Sequence, residues 1–599
     1  MPCPRIYTAV ALLSLCPVAL TQAESSASGF DAGFDPLFSS QAMCTAAQAG
    51  RPPLLLAMLA AQTETAPFRP AQQERKPAAA SDPPLYNNLG SLHLPVSTAN
   101  ARAQAYFDQG LRLLFGFNHA EAARAFRAAQ RHDPGCAMCY WGEALVLGPN
   151  INAPMFPEAV QPAAAAAAKA ASLAGRATPA EQALIRAVAQ RYQSPAPDSR
   201  APLDAAYANA MADAARSFPN HDTIQVLFAE SLMDLSPWDY WEAAGTRGKG
   251  RTPEMVDALE RVLERSPTHP GAVHYYIHAM EASSHPDKAL PYARTLARQI
   301  PGAGHLVHMP SHIYYRVGLY REALQSNLDA MAIDEQYFGK SGSDAVYKGA
   351  YYPHNIHFAM VSALMGGDGP TALASAAKLD KSVPVEALPS FAGMQAVKAA
   401  PYFSHVQFSS PEQLIALPAP DPQFVLVRAM WHYARAVGYA RKGMQSNSQE
   451  EIDALAAIER GGDFKPLADW GVPGQDIVRT ARAVATGRLA EARGDLAAAI
   501  KAYEEGVALQ DALPYTEPPY WYYPVRQSLG AALLRAGRLD DAEAAFRASF
   551  ARTPSNGWAL RGLVEVYRLR GDKPALAAAQ KRFDATWLGR RGGPELSRL

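Results

Sequence analysis

Apolar residues recur along this chain at helical spacing from about Tyr86 to the C-terminus, and no extended stretch alternates apolar and polar as a half-buried strand would. The pattern predicts a helical protein. It also repeats. In the segment from Gln104 to Pro134, the residues Gly110, Ala122, Phe126, Ala129 and Pro134 fall at offsets of 12, 16, 19 and 24 from the first. Near the other end Gly530, Ala542, Phe546 and Pro554 reproduce offsets 12, 16 and 24. Small residues let two helices approach, a ring fills the gap between them, and proline ends the second helix.

The middle of the chain keeps the register. Ser311, Ala323 and Ala330 preserve offsets 12 and 19, with Gly318 and Tyr320 at the turn between helices. Ile277, Ala289 and Pro301 form the preceding unit, and Met360 with Ala372 a following one, displaced by an insertion around 338–348. Trp558, Gly562 and Gly571 close the array.

These positions resemble the tetratricopeptide repeat, a helix-turn-helix unit of 34 residues. The resemblance covers about five hundred residues, more strongly at the two ends than in the middle. It implies an all-α solenoid coiled as a right-handed superhelix. Phrases such as Asp133-Pro-Gly-Cys-Ala-Met-Cys-Tyr-Trp141 and Gly304-His-Leu-Val-His-Met-Pro-Ser-His312 resemble a subgroup of exported bacterial repeat proteins whose activity is open. A scaffold of this kind does not fix a function.

The domain reading follows from the same patterning. Residues 1–23 read as a secretory signal: a basic start at Arg5, an apolar run from Tyr7 to Leu20, and Thr21-Gln22-Ala23 before Glu24. Residues 24–84, rich in Ala, Ser, Gln and Pro, read as a low-complexity tether with a short helix at 52–60. An N-terminal array over 85–380, a proline-rich connector over 381–422 that could hinge, and a C-terminal array over 423–599 complete the expectation. The address is then periplasmic or secreted. No later stretch has eighteen uninterrupted apolar residues, so no integral membrane segment is expected in the mature chain.

Composition narrows the partners. Lys plus Arg and Asp plus Glu are equal at 56 each, so no global field favours nucleic acid. A hydrophobic share of 49% supports a large folded core. No phosphate-binding glycine loop, Gly-x-Ser-x-Gly elbow or His-Glu-x-x-His signature occurs.

Histidine changes the picture most. Of 15 histidines, nine fall between His269 and His357. In tetratricopeptide repeats the first helix of each unit lines the concave groove, through positions six and three before the small packing residue and one and four after it. Around Ile277 that frame selects Gly271, His274, His278 and Glu281. Around Ser311 it selects His305, His308, His312 and Tyr315, and around Met360, His354 and His357. Helical spacing alone groups His274, His278 and Glu281 on one face and His305, His308 and His312 on another.

Neutral imidazoles supply metal ligands near pH 7 without burying a charge. The set His274, His278, Glu281, His305, His308, His312, His354 and His357 is therefore a candidate site for Cu, Zn, Fe or Mn. With a coordination position open, the ion could activate water or dioxygen, and Tyr315 could place substrate or donate a proton. The rival reading is a metal-free scaffold whose groove takes a peptide, protein or small molecule; simple packing is the third. Glu230, in the equivalent position of an earlier unit, reads as a solvated groove carboxylate.

Lesser signals remain. Cys136 and Cys139 read as a local disulfide or as packing, and the absence of a following histidine excludes covalent haem attachment. The aromatic run from Tyr515 to Arg526 could be packing between units or a wall over the groove. Asn118, His119 and Glu121 read as a helix cap, and Pro149, Asn150 and Asn152 as loop.

Overall fold

The computed structural model describes residues 82–599, apart from 194, 243, 244 and 341–346. The expected export signal, the tether up to residue 81 and its short helix lie outside the described residues. Residues 82–84 are held against the first two helices. Asp82 pairs with Arg131 and His132, at 2.9 and 2.6 Å, and the Pro83 and Pro84 carbonyls accept from Tyr106 and Gln109.

Among the described residues the regular elements are all helical; extended pairing is limited to two isolated bridges. Successive helices pair antiparallel, as the repeat requires. The first hairpin, Ala101–Phe115 with His119–His132, shows the mechanism. Phe126 is fully buried between Gly110 and Gly142, and a methyl on either glycine would fall 2.7 or 2.3 Å from its ring. Phe546 occupies the same place between Gly530 and Gly562. Burying such a ring stabilises by roughly 1.5–3 kcal/mol, and only glycine lets the helices close over it.

The central packing positions behave alike. Ile277, Ala289, Ser311, Ala323, Met360 and Ala372 all have no exposed surface. Gly318 takes a left-handed φ of +77° between the helices Pro310–Arg316 and Tyr320–Lys340, a conformation that costs glycine little. Asn118 caps its helix by accepting from the Glu121 N–H, and Asn150 and Asn152 lie in a loop bridged from Asn150 to Ala153. Cys136 and Cys139 form a disulfide at the start of the helix Ala137–Val146.

Two large apolar cores run through the described residues, beside a small cluster of Met155, Ala159 and Ala163. One extends from Leu89 to Tyr351, the other from Tyr314 to Leu599, so they overlap within the histidine-bearing repeats. The segment expected as a connector contributes to the second core. The segment 381–422 contains the short helices Gln395–Ala399, Pro401–Phe408 and Pro411–Ile415, and its Leu388, Met394, Phe403 and Leu414 belong to the second core. Prolines interrupt its periodicity without removing its apolar anchors.

The C-terminal repeats pack against the central ones. Trp558 donates to the Leu364 carbonyl at 3.1 Å and the Leu588 N–H to that of Gly366 at 2.8 Å. The helix Tyr352–Gly366 is consequently buried along its length from Pro353 onward.

Candidate metal centre

Four helical segments from three successive repeats bring imidazoles together. His269 caps the helix Pro270–Glu281 by accepting from the Ala272 N–H, which sets the phase that turns His274 and His278 inward. The next repeat is broken in two, Gly304–His308 and Pro310–Arg316, because Pro310 lacks an N–H. The third contribution, His354, stands in the first turn of Tyr352–Gly366. An insertion leads into that helix, and its Tyr347 hydroxyl accepts from the His305 N–H and donates to Asp334.

The rings sort into two triads, His274–His278–His305 and His308–His312–His354, each with potential ligand atoms within 4.8 Å of one another. This differs from grouping by helix. His305 leaves its own helical neighbours and joins His274 and His278. In the first triad the Nε2 atoms of His278 and His305 each lie 3.1 Å from that of His274. In the second, the Nε2 atoms of His308 and His312 are 2.8 Å apart. The edge of a tetrahedron with metal–nitrogen bonds of about 2.0–2.1 Å is about 3.3 Å.

Outer partners fix which nitrogen carries the proton. His274 Nδ1 lies 2.7 Å from the Phe115 carbonyl, which can only accept, so Nδ1–H donates and Nε2 offers a lone pair. His308 Nδ1 donates likewise to Asn327 Oδ1 at 2.6 Å; the Asn327 amide is oriented by donating to the Ala323 carbonyl. His278 and His312 donate through Nδ1 to the two oxygens of Glu281, at 3.0 and 2.7 Å. Four Nε2 lone pairs are thereby turned toward neighbouring lone pairs with no proton between them.

Burial and mutual repulsion favour the neutral form of His274, His278, His305, His308 and His354. All six triad rings are at most 5% exposed. Burial first, and neighbouring imidazoles second, push His274, His305, His308 and His354 well below the usual histidine range. Burial also lowers His278, despite its carboxylate partner. Burial alone would raise Glu281, but the His312 and His278 contacts outweigh it and hold the carboxyl below its ordinary range.

Two of the eight candidate ligands stand elsewhere. Glu281 spans the triads from outside, receiving a ring N–H from each, and also accepts from the Tyr515 hydroxyl at 3.1 Å. His357 points away, with Nε2 2.6 Å from the Tyr522 hydroxyl. Tyr315 lies in neither triad; its buried hydroxyl has no partner and faces a cleft that His312 also lines. Glu230 is no solvated groove carboxylate but is buried, 3.6 Å from Arg191, in a cluster with Asp234.

Several contributors escape the repeat frame. Phe117, at a left-handed φ of +53°, contacts all three rings of the first triad, with centroids 4.5 to 6.0 Å away. Phe358 does the same for the second at 4.6 to 5.2 Å. Phe358 lies four residues after His354, a spacing that could have flagged it; Phe117, from a distant turn, carries no such signal.

The aromatic run forms a wall. Residues 513–524 join the helices Leu496–Ala512 and Val525–Arg535 and close a cleft of about 140 Å³ against His312, Tyr315 and Phe358. Within that wall Glu517 is 4% exposed and neither of its oxygens has a hydrogen-bond partner. Burial, then the charge of Glu281, pushes its carboxyl well above the ordinary range.

No family model matches this chain, and no curated protein does. Solved structures with some likeness include a monomeric mutant of IFIT1 with Gppp-AAAA, 12% identical over 82% of this chain and 92% of that one, TM-score 0.28. The tetratricopeptide domain of P58(IPK) follows at 13% over 79% and 99%, TM-score 0.20. Naa15/Naa10 bound to HypK-THB gives 12% over 82% and 90%, TM-score 0.23. Superpositions this loose transfer no function, and the all-helical solenoid rests on its own hairpins.

Proposed function

We propose that this chain is a transition-metal-binding solenoid with one ion-binding site at each histidine triad. The observation that carries the reading is the convergence of Nε2 lone pairs whose Nδ1 protons are committed to outer acceptors. The facing Nε2 acceptors of His274 and His278, 3.1 Å apart, and of His308 and His312, 2.8 Å apart, repel, and a shared cation turns that repulsion into attraction. All-imidazole sets suit Zn, Cu or Fe, and Mn completes the candidates. Three protein nitrogens leave coordination positions for water or substrate, as in catalytic metal sites. Glu281, ionised between the triads, lowers the electrostatic cost of the cations and orients His278 and His312.

The peptide-groove alternative loses support from burial. The groove histidines are covered and the adjoining cleft of about 140 Å³ suits a small molecule better than an extended chain. An exported location is supported by the leader pattern and by the Cys136–Cys139 disulfide, a bond that persists in oxidising compartments.

The test is metal content. The chain purified without a polyhistidine tag should hold Zn, Cu, Fe or Mn approaching two equivalents by elemental analysis. His278→Ala and His308→Ala should each remove about one equivalent. A wild-type protein that takes up no such metal after refolding or titration would sink the proposal.

A further inference from the structure

We propose that the cleft beside the second triad binds a small organic ammonium ion with an apolar body, its cationic nitrogen seated on Glu517. The inference concerns this cleft's ligand and does not require the triads to hold metal.

The wall residue Glu517 supplies the first observation. A buried carboxyl normally has hydrogen-bond donors around it, yet both oxygens of Glu517 lack one although the residue lines the cleft. The basic groups of the cleft are engaged elsewhere. Arg526 pairs with Asp511, Arg552 donates to the Gln510 and Asp511 carbonyls, and Arg316 donates to the Glu281 and Ser283 carbonyls. The acidic groups left facing the space are Glu517 and Glu281, and Glu281 is already held by His278, His312 and Tyr515. Glu517 is therefore the acidic group of the cleft left open to pair with an entering cation.

The walls say what kind of cation. Tyr315, Phe358, Tyr515, Trp521 and Tyr522 surround the space with ring faces and edges, which attract an alkylammonium group and accommodate hydrocarbon. A further metal ion fits poorly, because Glu517 belongs to neither cluster of converging ligand atoms and metal ions need several close donors. Two donors also wait without acceptors, the Tyr315 hydroxyl and Trp521 Nε1, so a hydroxyl or carbonyl on the same ligand would find partners. An ammonium entering against a protonated Glu517 releases that proton to solvent and leaves an ammonium–carboxylate pair.

Calorimetric titration of the full chain with benzylamine, benzyl alcohol and benzoate tests the assignment, read in parallel through Trp521 fluorescence. Benzylamine should bind roughly tenfold or more tightly than the isosteric alcohol, with benzoate weakest. Glu517→Gln should erase the preference for the amine while leaving the metal content of the protein unchanged. Glu517→Asp, which keeps the charge and shortens its reach, serves if the Gln variant does not fold, and should weaken benzylamine while leaving the alcohol unmoved. Equal binding of amine and alcohol, or an amine preference that survives both substitutions, would overturn the proposal. Each titration is repeated on chelator-stripped protein. A preference present only with metal bound would assign the amine to the ion and defeat the role of Glu517, whereas failure of metal uptake alone would leave it standing.

Discussion

Asn327 and Glu281 hold the ring orientations on which the two triads depend. Asn327 reaches only His308, since its Oδ1 accepts from that ring and its amide is tied to the Ala323 carbonyl. Asn327→Leu should therefore lower metal affinity at the second triad about 10–100-fold and leave the first unchanged, as read by competition with a chelating dye. Equal loss at both triads would contradict the outer-partner argument. Histidines outside the triads give a separate expectation. Burial pushes His119 and His269 down to about 4 and His357 to about 3. A folded value below the unfolded one means that the unfolded chain takes up protons first as pH falls. The stability these groups support is thus full above about pH 6.5 and lost as pH drops toward 3. The thermal midpoint of metal-free protein should decline steadily from pH 6.5 to 4, and a flat profile over that window would refute the burial of neutral rings.

Helical spacing gives the face that each histidine occupies and so makes the candidate ligands legible in the sequence. It does not tell which helices share a centre. His274 and His278 are paired by their i, i+4 spacing, but their third partner, His305, comes from the next repeat, on the segment that ends before Pro310. His354 arrives after an insertion that disturbs the repeat frame, and Glu281 looked like a ligand because spacing cannot distinguish facing an ion from facing a ring nitrogen. Glu517 was invisible for a different reason: a proline-rich loop has no period to read. The packing glycines were legible because their spacing is the repeat itself. Gly142→Ala should cost about 1–3 kcal/mol by urea unfolding, since the methyl would meet Phe126 at 2.3 Å. Gly175→Ala, with nothing within 4 Å, should be neutral or slightly stabilising. Equal effects would mean that the hairpin relaxes freely around the ring.

At the scale of the molecule, the two triads have different mechanical positions. The first lies within the N-terminal core, among Phe117, Tyr275 and Leu306. The second straddles the cores: His308 and His312 sit between Leu306, Met309 and Ile313 of one, while His354 is followed by Ile356 and Phe358 of the other. An ion held there ties the two cores together, and ligation contributes RT ln(1 + [L]/Kd), about 2.7 kcal/mol at a hundred times Kd. Solenoids unfold as coupled neighbours, so weakening one junction costs cooperativity as well as stability. Metal-loaded protein should accordingly unfold in one calorimetric transition. In His354→Ala the two cores should uncouple, giving a broadened or double transition whether or not metal is added. His274→Ala should lower the midpoint while keeping a single transition, because the junction between the cores stays tied. If the two variants give the same profile, the second triad does not couple the cores, and any ions bound at these sites serve chemistry or transport without fastening the solenoid.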